Sequence, residues 1–294
     1  MYSALGSGSS RSERGGVNKS TDGGQTWQPV GFQLEGGFDL NPENCIPYGF
    51  RHLAIDPTDD NIVFAAMEIP LTRTGKLYRT TDGGITWSAV YSASGYVTGI
   101  EVSAVDSDLV VFTTPSDVYR SEQGGDADSW RVITPPEASQ IKTVRISPHR
   151  AQVYVVGTRD QGFYYTADAG ISWRNNRLEG FFEQRLYQGS DQYLSDEIAT
   201  AFNPGARMRR NILAIVFDPI TPDVFYVGGT QLSRCSVGVA KITGAGQTWE
   251  RLPLTGLSHR NVFDLAIDAS GEYLYAATFD GTFRLRLSDL GGRF

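Results

Sequence analysis

The sequence predicts an all-β fold, a single β-propeller of four-stranded antiparallel blades. Three observations predict it: a motif that ends in tryptophan recurs along the chain, apolar segments of strand length lie between its copies, and the composition favours strands and tight turns, with 33 Gly, 15 Phe and 14 Tyr in 294 residues. Hydrophobic residues make up 40% of the chain and charged residues 20%, which is enough apolar surface for a core. The chain is therefore globular.

The recurring motif is clearest in its first two copies, which read STDGGQTW over 20–27 and TTDGGITW over 80–87. Looser copies end at Trp130, Trp173 and Trp249, so each of the 5 tryptophans closes one copy. Trp87, Trp130 and Trp173 follow one another at intervals of 43 residues, and the first and last intervals are longer. The basic unit therefore has 43 residues, and the longer intervals contain inserts.

Each unit contains four short segments rich in β-branched and aromatic residues, which predict four strands. The sequence LAIDP over 53–57 is typical of the first strand and VFAA over 63–66 of the second, and each fourth strand begins at a tryptophan. The predicted blades span about 1–30, 49–92, 96–134, 140–177, 210–254 and 260–294, with inserts at 31–48 and 178–209. All six belong to one predicted domain over 1–294.

The two ends leave the blade number open. The predicted first blade has no first strand, and the last has no fourth. Either a six-bladed ring has two three-stranded blades, or the chain is trimmed or partial and a seventh blade completes the ring, since a propeller must close to hide its edge strands.

The pattern Ser/Thr-x-Asp-x-Gly-x-Thr-Trp resembles the Asp-box, or bacterial neuraminidase repeat, and the whole chain resembles the bacterial Asp-box propellers. The resemblance implies that each box is the hairpin between strands three and four, with its aspartate bonded across the turn and its tryptophan packed between blades. It thus implies structural rather than catalytic roles. The residues concerned are Asp22, Trp27, Asp82, Trp87, Trp130, Asp168, Trp173 and Trp249.

Charge and residue spacing exclude several classes of function. A net charge of -7 argues against a nucleic-acid partner, because phosphate binding requires clustered Lys and Arg. No apolar stretch is long enough for a transmembrane segment. The 2 cysteines, Cys45 and Cys235, and the 3 histidines show no metal-ligand spacing, so we expect no metal and no cofactor. The cysteines form either a disulfide across the ring or two free thiols.

Functional residues are expected on the face opposite the boxes, because both inserts are connections from a fourth strand to the next blade. The aromatic and charged side chains of the second insert have three possible roles: stacking on a sugar, forming a protein-docking surface, or pinning the insert to its own blade. The arginines in the short loops are either ligand contacts or solvated charges. The candidate binding residues are Arg51, Arg73, Arg159, Phe181, Phe182, Arg185, Tyr187 and Tyr193.

The enzymes among Asp-box propellers fit the sequence poorly. Sialidases carry an Arg-Ile-Pro tripeptide, which is absent. Xyloglucan-type hydrolases place an aspartate just after the second strand of the first blade, where this chain has Leu5–Gly8. A pair such as Glu35 or Asp39 with Glu183 would have to lie about 5 to 9.5 Å apart to hydrolyse a glycoside. No catalytic residue is therefore assigned.

The resemblance is better to non-enzymatic members, such as the photosystem II assembly factor and sortilin-type receptors. We expect a binding or scaffold propeller that docks another protein or a multi-subunit complex through the insert-bearing face. The alternative is a glycoside hydrolase or carbohydrate-binding protein of the Asp-box type. We expect an extracytoplasmic location, periplasmic or secreted, with any membrane contact made through a partner.

Overall fold

The computed structural model of the chain is a β-propeller fold of six antiparallel sheets, which confirms the predicted fold class. It describes residues 1–5, 16–30, 49–69, 74–93, 95–179, 181, 184–185, 193–194, 210–231, 238–253, 257 and 261–291. Each sheet is an up-and-down meander in which neighbours in the chain are neighbours in the sheet. We number the sheets as blades one to six in chain order.

The chain divides into two compact units, Met1–Thr134 and Pro135–Phe294. Unit 1 contains blades one to three, and their strands are β1 Tyr2–Leu5, β2 Gly16–Lys19, β3 Gln28–Val30, β4 Gly49–Ile55, β5 Val63–Ile69, β6 Thr74–Thr80, β7 Ser88–Ala93, β8 Gly99–Val102, β9 Val110–Thr113, β10 Val118–Ser121 and β11 Arg131–Val132. Blade one has the three strands β1 to β3, and blades two and three have four each.

Unit 2 contains blades four to six and a separate two-stranded hairpin in the second insert. Its strands are β12 Ile141–Ile146, β13 Tyr154–Thr158, β14 Phe163–Thr166, β15 Arg174–Asn176, β16 Gln184–Arg185, β17 Tyr193–Leu194, β18 Arg210–Phe217, β19 Phe225–Gln231, β20 Val239–Thr243, β21 Thr248–Arg251, β22 Val262–Ile267, β23 Tyr273–Thr278 and β24 Gly281–Arg286, followed by a 3-10 helix over Leu287–Gly291. Blade six has the three strands β22 to β24.

The core of each unit lies between adjacent blades. In unit 1, Val17 of blade one packs with Phe50 and Trp87 of blade two, and Phe64 of blade two packs with Phe112 of blade three. The second strands of blades three and four, β9 and β13, are buried at every position, so both of their faces are covered. Removing this apolar surface from water stabilises each pair of blades, at about 25 cal/mol per Å².

Unit 2 follows the same plan. Blades four and five enclose a cluster that includes Phe163, Phe217 and Phe225, with the Phe163 and Phe225 ring centroids 5.4 Å apart and edge to face. Blades five and six enclose a second cluster, which includes Tyr226 and Leu265. Each unit is thus a row of sheets stacked face to face.

A bulge recurs near the start of the first strand in four of the described blades. The register between first and second strands shifts by one residue there, and the inserted residues are Arg51, Lys142, Leu213 and Phe263. Such bulges change the direction of a side chain at the edge of a sheet. In each of these blades the bulge lies at the end opposite the Asp-box, and we call this end the loop face of the blade.

The described strands agree with the predicted order of strands within each blade, and the three-stranded sheets are the first and the last. That 1–294 form one domain and one closed ring stays a prediction. The described part of the chain contains no helix that is long and apolar enough to cross a membrane.

Candidate functional site

The Asp-boxes occupy the hairpins between third and fourth strands, and Asp82 shows their geometry. Its Oδ1 accepts hydrogen bonds from Thr80 Oγ1 at 2.7 Å and from the Ile85 and Thr86 amides at 2.9 Å each. Its Oδ2 accepts a bond from Thr86 Oγ1 at 2.6 Å. Gly83 and Gly84 have φ of 73° and 95°, which residues with a Cβ rarely adopt. The carboxylate of the box is therefore bonded entirely within its own turn.

These bonds lower the pKa of the box aspartates. The hydroxyl of Thr26 lowers the pKa of Asp22, and that of Thr86 lowers the pKa of Asp82, with the backbone amides of the same residues contributing next. The Ser172 hydroxyl is the largest cause of the lowered pKa of Asp168, which is about 2. An aspartate held ionised in this way is a poor proton donor at neutral pH.

The box tryptophans differ in burial. Trp87 is 2% exposed and its Nε1 donates to the Gly84 carbonyl at 3.2 Å. Trp130 donates to Val90 of the neighbouring blade at 3.1 Å, whereas Trp27 is 40% exposed. Trp173 and Trp249 are half-buried. Trp87 and Trp130 therefore contact a neighbouring blade, whereas Trp27 is exposed, and the predicted structural role of the tryptophans as a group stays a prediction.

On the loop face of blade two, Arg51 and Glu68 form an ion pair. Arg51 is the bulged residue of β4, and Glu68 lies near the end of β5 in register with Gly49. The Arg51 side chain is 61% exposed and that of Glu68 is 13% exposed. The bulge thus sets an exposed guanidinium over a largely buried carboxylate.

On the loop face of blade four, polar side chains form a second group, which we call the Arg159 cluster: Gln140, Arg159, Asp160 and Gln161. Arg159 Nη1 donates to Gln140 Oε1 at 3.4 Å, and its Nε lies 3.8 Å from Asp160 Oδ2. Gln161 Oε1 accepts from the Ser139 amide at 2.9 Å. Amides, a guanidinium and a carboxylate together suit a ligand rich in hydroxyl groups.

The backbone around the Arg159 cluster adopts strained conformations. Glu137, Gln140 and Asp160 have φ of 62°, 53° and 67°. Non-glycine residues in this region cost about 1–3 kcal/mol each, and such residues are frequent at binding sites. Asn211 of blade five bridges to Arg159 through the backbone, which holds the cluster between two blades.

Phe181, a candidate binding residue, is a core residue of unit 2 with 1% exposure. Its ring packs edge to face on Trp249 with the centroids 5.6 Å apart, and the Arg251 guanidinium lies 5.5 Å from the same ring centroid. Arg251 Nη2 also donates to the Phe181 carbonyl at 2.5 Å. These contacts favour the alternative in which Phe181 pins the second insert to its blade.

The other residues of the second insert are placed only in part. Arg185 and Tyr193 oppose each other in the β16–β17 hairpin. Arg73, Phe182 and Tyr187 lie outside the described residues, as do Gly6–Gly8, Glu35, Asp39, Glu183 and both cysteines. Their suggested roles stay predictions.

Two groups on the loop faces were missed by the sequence reasoning. Glu68 pairs with Arg51 because the register of β4 and β5 brings them to the same end of blade two. Aligning residues 49–52 with residues 66–68 as antiparallel strands would have indicated this ion pair. Gln140 and Gln161 carry no local signal, because Gln140 contacts Arg159 and Gln161 contacts Ser139, each about 20 residues away in the chain. Within the described ranges, no three His, Cys, Asp or Glu side chains are placed to hold a metal ion.

Comparison with known families and proteins agrees with this geometry. The model of the BNR/Asp-box repeat family matches residues 19–29 and 78–89. Xyloglucanase Xgh74A of Acetivibrio thermocellus is 38% identical over 286 residues, and the match covers 87% of this chain and 31% of the xyloglucanase. The chain therefore spans about a third of the length of this curated relative.

Solved structures share the fold at lower sequence identity. The crystal structure of an ancestral GH74 enzyme superposes with a TM-score of 0.62 and 16% identity, covering 92% of this chain and 33% of that enzyme. The GH74 enzyme of Niastella koreensis superposes with a TM-score of 0.57 and 15% identity, covering 89% and 37% of the two chains. At these identities the similarity is one of fold.

Proposed function

We propose that this chain, an Asp-box β-propeller, binds a neutral β-glucan of the xyloglucan class. The supporting observation is its 38% identity to a xyloglucanase over 87% of its own length. This similarity to a carbohydrate-active enzyme favours the alternative function, that of a glycoside hydrolase or carbohydrate-binding protein of the Asp-box type, over the docking of a protein. Because the match covers 31% of the xyloglucanase, the binding of xyloglucan by this chain is a proposal.

The loop faces supply groups that suit this ligand. The Arg159 cluster offers donors and acceptors at two carboxamides, one guanidinium and one carboxylate, and Arg51 offers a second guanidinium above Glu68. Sugar hydroxyls both donate and accept, so mixed groups of this kind match them better than a cluster of one charge. We assign binding rather than hydrolysis, because Leu5–Gly8 contains no aspartate where the resemblance to xyloglucan-type hydrolases requires one.

Affinity electrophoresis tests the proposal. The 294-residue chain should be retarded in gels that contain xyloglucan and should migrate freely in gels that contain polygalacturonate, an anionic polymer. Arg159→Ala should weaken xyloglucan binding about three- to tenfold, because hydrogen bonds to a charged donor are lost. Arg174→Ala is the matched control, since Arg174 is exposed on the outer strand of the same blade. Retardation by none of the neutral glucans in a panel would refute the proposal.

Docking of a protein partner is the second candidate function. The observation that favours it is the anchoring of the second insert at Phe181, because a loop fixed at its start can present the rest of its length to a partner. Deleting residues 182–206 keeps the anchor and removes most of the insert. If the deletion releases a co-purified protein while xyloglucan fails to bind the intact chain, the docking function is favoured.

The proposed ligand also bears on location. A polysaccharide of this size does not cross a membrane intact, so a protein that binds it is expected outside the cytoplasm. Fractionation of the native host, with the chain followed by antibody, tests this expectation.

A further inference from the structure

Two exposed phenylalanines meet on the loop face of blade six. The Phe263 and Phe279 ring centroids lie 4.5 Å apart and the ring planes are inclined at 83°. Phe263 is 39% exposed and Phe279 is 69% exposed. The two rings therefore form an open corner with perpendicular walls.

The fold places both rings at this position by two separate devices. Phe263 is the bulged residue of β22, inserted between Val262 and Asp264 in the pairing with β23. Phe279 follows β23 in the tight turn to β24, directly after Thr278, which pairs with Val262. A bulge and a turn at the same rim bring together two rings that are 16 positions apart in the chain.

Several other large exposed apolar side chains lie at the opposite end of their blades. Ile85 and Ile171 lie within Asp-boxes, and Val105 and Ile220 lie in turns between first and second strands. Exposed apolar side chains of this kind are common on protein surfaces. A pair of touching, exposed aromatic rings on a loop face is a different feature, typical of a binding surface.

We propose that Phe263 and Phe279 form a stacking platform for one pyranose ring of a neutral glycan. This inference rests on the proposed function and names a site for it. The axial C–H face of a β-linked glucose is apolar and flat, so it can lie on one ring while its edge meets the other. Each phenylalanine is followed by an exposed aspartate, Asp264 and Asp280, whose carboxylates can accept hydrogen bonds from sugar hydroxyls.

The charge at the platform determines the class of glycan. Asp264 and Asp280 repel carboxylated or sulfated sugars, and the whole chain carries a net charge of -7. The Leu265 amide donates to Asp264 Oδ1 at 2.9 Å, which orients the carboxylate that follows Phe263 in the chain. The occupant is therefore a neutral, hydroxyl-rich chain rather than an anionic one.

Titration of xyloglucan oligosaccharides into three variants tests the platform. Phe279→Ala should weaken binding about tenfold, because an aromatic contact of about 1–1.5 kcal/mol is lost. Phe279→Tyr keeps the ring and should bind within about twofold of the parent chain. Ile171→Ala removes an apolar side chain with 87% exposure from an Asp-box and should leave binding unchanged.

The outcomes separate this inference from the proposed function. If the parent chain binds xyloglucan and Phe279→Ala binds equally well, the platform is refuted and the proposed function stands. If the parent chain binds no neutral glycan, both are refuted. If Phe279→Ala alters self-association in sedimentation experiments and leaves glycan affinity unchanged, the pair is a contact between copies and the platform is again refuted. Circular dichroism of each variant, unchanged from the parent, shows that the fold is intact.

Discussion

Replacement of Phe181 by alanine should destabilise unit 2 while leaving glycan binding intact in the folded protein. The side chain is 1% exposed and is shared between the start of the second insert and the fourth strand of blade five. If Phe181 were a ligand contact, its replacement would weaken glycan binding and leave the stability of unit 2 unchanged. This substitution therefore distinguishes the two roles that the sequence left open.

The expected magnitude follows from the burial and the contacts of the ring. Phenylalanine-to-alanine changes in cores cost about 3–5 kcal/mol, which includes lost transfer free energy and the cavity left behind. Of this, the edge-to-face contact with Trp249 accounts for about 0.5–1.5 kcal/mol. Because the insert can partly collapse onto the vacated space, we expect about 3 kcal/mol, near the lower limit of the range.

Urea unfolding followed by tryptophan fluorescence is the appropriate assay, since Trp249 lies 5.6 Å from the Phe181 ring. The midpoint should fall with little change in m, and the melting temperature should fall by about 6–12 °C. Phe279→Ala, at a site with 69% exposure, is the control and should change stability by less than about 0.5 kcal/mol. A loss of less than about 1 kcal/mol for Phe181→Ala would show that its burial contributes little and would refute the anchoring argument.

Three further predictions concern a box aspartate, the close approach of two strands within blade five, and a hydrogen bond between blades two and three. The folded-state pKa of Asp82 lies below its unfolded value, so its stabilisation is present above about pH 4 and is lost progressively as the pH falls further. Asp82→Asn should therefore flatten the fall of the urea midpoint below about pH 4, and equal slopes for the two proteins would contradict this. At Gly229 an added Cβ would lie 2.1 Å from a backbone oxygen, so Gly229→Ala should cost about 3 kcal/mol or more in chemical unfolding, whereas Gly16→Ala, with nothing within 4 Å, should be neutral. Trp130→Phe removes the 3.1 Å bond to the Val90 carbonyl and should cost about 1 kcal/mol, and an unchanged midpoint would show that this bond is dispensable.

The Asp-boxes were predictable because all their hydrogen-bond partners lie within a few residues of one another. Asp168 bonds to Thr166 and Ser172, and Gly170, two residues after it, has a positive φ, so eight consecutive residues suffice to define the turn. When all hydrogen-bond partners of a turn lie within a few residues, a short motif is enough to predict the turn. The Asp-box motif therefore predicted both the hairpin and the repeat of blades.

The loop-face groups were harder to predict because their members are distant in the chain and meet through strand register. Arg51 was named from sequence, yet its partner Glu68 was not, since a one-residue bulge decides which side chains face each other. The dipeptide Phe-Asp occurs at 263–264, near the start of β22, and again at 279–280, just after β23. This repetition was a signal in the sequence that could have indicated the pair of phenylalanines.

The fold class and the order of strands within each blade could be predicted from the residues alone, because both depend on local turns and on the period of apolar residues. The burial of Phe181, the pairing of Arg51 with Glu68 and the exposed contact of Phe263 with Phe279 became visible only in the folded chain. Burial and pairing of that kind depend on which strands pack together and where a bulge shifts their register, and no short segment of sequence contains that information.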